Sequence, residues 1–253
     1  MFRLTMQAQQ PPLIWIDDDQ EFPSPQQAWA ATSPAPGLVC AGRTLSAHQV
    51  QKAYRQGIFP WFSAGQPVLW WCPDPRMVLK LNDFKISNSL RKTIRRFAKD
   101  ARCQIRVDSA FKDVIRACAR SPRPGQDGTW IVQPMIETYC ELHVQGLAHS
   151  VEIWIDEQLV GGLYCVAIGK AVFGESMFHR QTDASKIALA ALVALCRAHS
   201  VVQIDCQQET NHLAAFGAHP IPRSDFLQIV HAEREREALD WDFLPLYWAD
   251  ITN

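Results

Sequence analysis

No part of this chain stays apolar for the ~18 residues that a membrane-crossing helix needs. The longest such run, Ile187 to Cys196, is too short. No secretory leader is expected either, because Gln-Ala-Gln-Gln-Pro-Pro interrupts the only stretch near the start that could supply its apolar part. A cytoplasmic protein away from membranes is therefore expected. Charge of one sign is also missing. Lys and Arg total 25 against 26 Asp and Glu, a net charge of -1, so a nucleic acid would have to be met by a local patch. The eight cysteines (Cys40, Cys72, Cys103, Cys118, Cys140, Cys165, Cys196, Cys206) include no C-x-x-C pair, and no histidine stands at zinc spacing. Several fall in apolar patterns where a reduced thiol acts as a small hydrophobe. Neither a disulfide framework nor a metal is expected. No internal repeat and no low-complexity block is present.

What is there suits a folded enzyme or binding domain. Apolar residues make up 47% of the chain and charged residues 20%, and 253 residues suffice for one large domain or two modest ones. Residues 1 to about 37 are rich in Pro and Gln and read as a loop-rich segment packed by Trp15, Phe22 and Trp29. A helix then starts at Ser46: Ser46 and Gln49 have capping-box spacing, Leu45 and Val50 a hydrophobic staple, and Gly57 a stop. Phe59, Trp61, Phe62, Trp70 and Trp71 follow, among prolines, on what read as short strands joined by rigid turns. Such rings serve equally as core anchors or as platforms on which nucleobases stack.

From Ser87 to Arg102 the apolar positions Leu90, Ile94, Phe97 and Ala101 recur at helical spacing. Arg91, Arg95 and Lys99 form one row, with Lys92 and Arg96 beside it and Asp100 as the one acid among them. A solvated face explains many such rows, but here intrahelical pairing cannot neutralise the charge, which suggests a polyanion contact. Further helices are expected at 108–120 and from Pro134 to Gly146. From Val151 to Phe173 the period changes to two, giving an antiparallel meander. A helix apolar nearly all round then opens at Asp183, followed by a short strand from Val201 to Cys206.

This last region organises the rest. With a strand ending at Phe173 and side chains alternating along 201–206, Glu175, Asp205 and Gln207 converge at strand ends beside a core helix. Buried polar groups need partners or a purpose. The order strand, turn, helix, strand resembles an acyl-CoA N-acyltransferase core within an α+β fold. An acetyl-CoA enzyme would hold pyrophosphate on a glycine-rich turn at the helix start. Here that turn is His179-Arg-Gln-Thr-Asp-Ala, without glycine. A non-catalytic RNA-binding module would account for residues 58–102 and leave Glu175, Asp205 and Gln207 without a reason.

An acyltransferase whose acyl carrier is an RNA joins both halves. Tyr54-Arg-Gln-Gly-Ile-Phe-Pro-Trp-Phe-Ser, Pro67-Val-Leu-Trp-Trp-Cys-Pro-Asp-Pro-Arg76, Gly128-Thr-Trp-Ile, His149-Ser-Val-Glu, Leu159-Val-Gly-Gly, Gly174-Glu-Ser-Met-Phe and Ile204-Asp-Cys-Gln occur in that order. Together they strongly resemble the bacterial leucyl/phenylalanyl-tRNA–protein transferase family. The resemblance implies a small N-terminal α/β domain (1–80) and an acyltransferase-like catalytic domain (81–253) with a mainly antiparallel sheet flanked by helices. It implies transfer of Leu, Phe or, less well, Met from aminoacyl-tRNA to proteins beginning with Arg or Lys, which marks them for degradation by the N-end rule. No metal or coenzyme is implied, and a monomer is expected. By position, Trp61 and Trp130, with Tyr54 beside them, match the residues that hold the 3′-terminal adenosine. Glu175 matches the glutamate at the aminoacyl ester and acceptor, Asp205 and Gln207 match the pair assigned to the chemistry, and the basic row (Arg91, Lys92, Arg95, Arg96, Lys99) matches the tRNA-contacting patch.

An aminoacyl ester is already activated, so alignment with an amine is the main task. The expectation is that Asp205 orients Gln207, whose carbonyl accepts a hydrogen bond from the amine. The released proton then passes to Asp205 or to the leaving ribose oxygen, and Glu175 and Asp205 attract a cationic first residue. Leu163, Val172, Leu189 and Ile204 are expected to line the hole for the aminoacyl side chain.

Overall fold

The computed structural model describes residues 12–121 and 131–252. The chain first builds a small sheet from β1 (Trp15–Ile16), β2 (Leu38–Gly42), β3 (Phe59–Pro60) and β4 (Val68–Trp71), in the order β1-β2-β4-β3, with helix α1 (Ala47–Tyr54) between β2 and β3. Ser46 caps α1 by accepting the Gln49 N–H at 3.2 Å. The reciprocal half of the expected capping box is replaced, because the Gln49 amide donates to the Asp17 carbonyl at 3.2 Å. Gly57 ends the turn at φ +73°, and a Cβ there would lie 2.7 Å from Leu227 and 2.8 Å from Phe226. Glycine is required on both counts.

The chain then enters a larger sheet through β5 (Arg76–Lys80), followed by α2 (Asn88–Phe97), β6 (Cys103–Val107), α3 (Phe111–Arg120) and α4 (Gln133–Val144). The meander is β7 (Ala148–Ile155), β8 (Gln158–Ile168) and β9 (Ala171–His179), and α5 (Ala184–Ala198) and β10 (Gln203–Asp205) follow it. The remainder is α6 (Asn211–Ala214), β11 (His219–Ile221), α7 (Arg223–Glu233) and α8 (Ala249–Thr252). The seven strands lie in the order β11-β5-β10-β9-β8-β7-β6; β10 runs parallel to β9 and antiparallel to β5. The fold is α+β, with the expected meander, core helix and returning strand.

One expectation fails locally, and two short strands were not anticipated. The basic helix stops at Phe97, short of the Arg102 that its spacing suggests, and the residues after it, Cys103–Val107, form β6 against β7. β11, only three residues long and containing Pro220, has no signal in the residue pattern; it forms an edge strand on β5, where a proline is tolerated.

Apolar side chains cover both faces of the large sheet. α1, α3, α4, α7 and the small sheet pack in one cluster, and α2, α5 and α8 in the other. Every residue from Ile187 to Cys196 is buried, as a helix apolar all round requires. The start of α5 presses so closely on β8 that a Cβ on Gly161 would lie 2.4 Å from that of Ala184. Among the described residues no helix is long and apolar enough to cross a membrane.

Candidate active site

Glu175 lies within β9, not in a turn after a strand ending at Phe173. The β8–β9 ladder slips here: Cys165 faces Gly174 and Tyr164 faces Ser176, so Glu175 is the extra residue of a bulge. A bulge bends the strand and re-aims the side chain it carries. The Glu175 carboxylate accepts from Tyr54 Oη at 2.7 Å and from Gln207 Nε2 at 3.1 Å, with Tyr139 Oη at 3.4 Å. The two tyrosine hydroxyls are themselves 2.7 Å apart. Burial raises the Glu175 carboxyl to about 8; the hydrogen bond from Tyr54 opposes this and the Asp205 charge assists it. Burial also holds both phenols well above their ordinary range.

Asp205 and Gln207 are neighbours of a different kind from the one expected. β10 ends at Asp205, and Gln207 turns away with φ +55°, so strand alternation does not relate them. Asp205 is 2% exposed and forms a two-pronged ion pair with Arg76: Nε donates to Oδ1 at 2.8 Å and Nη2 to Oδ2 at 2.6 Å. Its Oδ1 also accepts the backbone N–H of Gln207 at 3.0 Å. Asp205 thus fixes the Gln207 backbone, while the Gln207 amide is held by Glu175. Its charge is met by Arg76, and Asp205 is not among the residues that line the cavity beside this network.

A cavity of about 540 Å³ opens beside this network. Glu175, Met177 and His179 of β9 form one wall and Ser185, Leu189 and Leu192 of α5 another. Ile204, Cys206, Gln207 and Leu213 close it further, and Phe59, Pro60 and Trp61 of the small sheet stand at its side. Of the four residues expected in the side-chain hole, Leu163, Leu189 and Ile204 line the cavity. Val172 does not; it is packed in the α5 cluster.

Among the aromatic residues, Trp61 faces the cavity, braced edge-on by Trp71 at 5.8 Å, whose Nε1 donates to the Trp61 carbonyl at 2.7 Å. Trp70 is a core anchor against Phe22. Tyr54 is fully buried beneath Glu175 and so is no platform for a base. Trp130 lies outside the described residues. Arg95, Arg96 and Lys99 rim a shallow concavity, and Lys92 is exposed. Arg91, by contrast, turns to donate to the Ile251 carbonyl at 3.1 Å and braces the C-terminal segment.

Two residues of this network were missed as such. Arg76 stood in a quoted motif with no role, and Tyr139 lay unremarked within the helix expected from Pro134 to Gly146. Their signal was faint but real: a phenol and a guanidinium in apolar surroundings each require a buried partner. The assembled site offers a carboxyl and an amide facing an apolar cavity, an arrangement suited to aligning an amine beside a large acyl group. Among the described residues no cluster of His, Cys, Asp or Glu could hold a metal ion.

Comparison with known proteins places the chain in a family. The family model for the leucyl/phenylalanyl-tRNA protein transferase matches residues 78–231, and the model for that transferase's N-terminal domain matches residues 43–74. A leucyl/phenylalanyl-tRNA–protein transferase of Albidiferax ferrireducens is 55% identical over 97% of each chain. One from a Polaromonas species is 55% identical over 95% of this chain and 94% of its own. Among solved structures, FemX aligns over 73% of this chain and 71% of its own, with a TM-score of 0.43 at 10% identity. With matched segments that together take in the cavity, the Glu175–Gln207 contact and the Trp61 wall, the chain belongs to the leucyl/phenylalanyl-tRNA–protein transferase family, a family of aminoacyltransferases.

Proposed function

We propose that this enzyme moves Leu, Phe and, less well, Met from aminoacyl-tRNA to the α-amino group of proteins beginning with Arg or Lys, which marks those proteins for degradation. The observation that carries the reading is the cavity of about 540 Å³ with Glu175 and Gln207 at one wall, Trp61 at its side and leucines within. In this reading Trp61, with Trp130, takes the terminal adenosine. Leu163, Leu189 and Ile204 receive the aminoacyl side chain, with Met177 and Leu192. A hole of this kind discriminates by only ~1–3 kcal/mol per methylene, so Leu, Phe and Met enter and charged side chains do not. Lys92, Arg95, Arg96 and Lys99 meet tRNA phosphates.

The acceptor amine attacks the ester carbonyl carbon while the Gln207 carbonyl oxygen accepts one of its hydrogens. A C–N bond forms, and the zwitterionic tetrahedral intermediate passes its ammonium proton to the ribose oxygen as the C–O bond breaks. Peptide and free tRNA hydroxyl result, and no external acid or base is consumed. Orientation is the main contribution, and Glu175, once ionised, receives the cationic side chain of the acceptor. An acetyl-CoA reaction is disfavoured by the first turn of α5, where Asp183 stands at the N-cap and no glycine offers its N–H to a pyrophosphate.

The test is to incubate the protein with labelled Leu-tRNA and a peptide beginning with Arg, in parallel with acetyl-CoA and the same peptide. Label is expected in the peptide only in the first case; acetylation without leucylation would overturn the reading.

A further inference from the structure

Arg76 is fully buried, yet a buried ion pair is a poor device for stability alone, since apolar side chains of similar volume often do as well. Here the arrangement carries an added cost, because the third guanidinium nitrogen, Nη1, has no hydrogen-bond partner. What the arrangement provides is geometry. The guanidinium packs against two rings, its carbon 4.6 Å from the Phe59 centroid and 4.4 Å from that of Phe226. Phe59 is itself part of the cavity wall, next to Pro60 and Trp61. Phe226 belongs to α7 and does not reach the cavity. The planar fork then grips both oxygens of Asp205, and Asp205 holds the Gln207 N–H. The next residue of β5 completes the clamp: Cys206 N–H donates to the Met77 carbonyl at 2.9 Å and Met77 N–H to the Gln207 carbonyl at 3.4 Å. Gln207, in a left-handed conformation that non-glycine residues rarely adopt, is thereby pinned on both sides.

We propose that Arg76 is a positioning residue for aminoacyl transfer: packed against Phe59 and Phe226, it fixes Asp205 and through it the Gln207 backbone, so that the Gln207 amide meets Glu175 on one side and the incoming amine on the other. The inference rests on the transfer reaction proposed above. It also gives Asp205 a task consistent with its burial. Lysine cannot replace arginine in this role, because it keeps the charge but has neither the fork nor the flat face.

The experiment is steady-state transfer from Leu-tRNA to an Arg-peptide by the parent, Arg76→Lys and Phe226→Leu, each normalised to folded protein. Displacing a reacting group by about 1 Å can cost on the order of 100-fold. Arg76→Lys is therefore expected to lose about that factor in kcat, with KM for Leu-tRNA within roughly 3-fold of the parent. Phe226→Leu, which removes one ring of the clamp from outside the cavity, is expected to lose roughly 5- to 10-fold in kcat, again with KM retained. If Arg76→Lys does not fold, Phe226→Leu decides, and a kcat equal to the parent's overturns the proposal. So does a folded Arg76→Lys whose defect lies in KM alone. A parent that transfers no aminoacyl group to any peptide overturns the underlying reading instead.

Discussion

The Glu175 carboxyl should imprint its titration on catalysis. With a value of about 8 in the folded enzyme, it is ionised in roughly one molecule in eleven at pH 7 and roughly ten in eleven at pH 9, about a 10-fold change. The acceptor α-amine, with a pKa of about 7.7–8.0, becomes roughly 7-fold more available over the same range. Because kcat/KM reports the free enzyme and free substrate, the parent should gain roughly 70-fold between pH 7 and pH 9. Glu175→Gln should gain only the roughly 7-fold owed to the amine. The assay is initial-rate transfer to an Arg-peptide at low peptide concentration, with spontaneous ester hydrolysis subtracted at each pH. Folding supplies an independent check on the same proton. Glu175 has a raised value, from 4.5 to about 8, so the folded state holds a proton that the unfolded chain has released. Its stabilising contribution is whole below pH 4.5 and is lost as pH rises towards 8. Glu175→Gln should remove this slope, which can reach ~1.4 kcal/mol per pH unit. A variant with the parent's rate profile and the parent's stability slope would refute the reasoning.

Asp205→Ala leaves the Arg76 guanidinium charged, buried and unpaired against two rings, and urea unfolding should show a loss of about 3–5 kcal/mol. Asp205→Asn should remain more active than Asp205→Ala, since a side-chain oxygen can still accept the Gln207 N–H; equal, complete loss would argue for a direct role in proton transfer. Trp61→Ala should raise KM for Leu-tRNA by about 5- to 150-fold, the equivalent of one lost base stack at ~1–3 kcal/mol. Replacing Arg95, Arg96 and Lys99 together by Gln should reduce the slope of log affinity for tRNA against log salt by about 2–3, and an unaltered slope would return that face to solvent. Leu192→Trp should occupy the cavity and depress transfer from Phe-tRNA more than from Leu-tRNA, measured with both substrates in competition.

Much of this fold was legible because its strongest signals are local. Ser46, Pro134 and Gly57 mark helix ends by their own chemistry, and the shift to alternation at Val151 marks the meander. The strands lost to reading, β6 and β11, are short edge elements defined by partners far away in sequence. The site was legible as a set of residues and illegible as a network. Glu175, Asp205 and Gln207 were named together, but one bulge and one left-handed residue decide which touches which, and neither leaves a mark in the residue pattern. Arg76 is 129 positions from Asp205, so their pairing could not be read from spacing. Tyr54 shared a motif with Trp61, yet α1 carries it under Glu175 while Trp61 reaches the cavity from beyond β3.

The seat of β5 has a consequence for synthesis. That strand is complete once residue 80 has been made, but both of its neighbours in the sheet, β10 and β11, come from residues 203–221. At ~5–20 residues per second on a ribosome, roughly 7–28 s separate the appearance of β5 from that of its last partner. For that interval the nascent chain carries an apolar strand with two open edges, and a holdase that shields it should raise the yield of active enzyme more than one that acts after release.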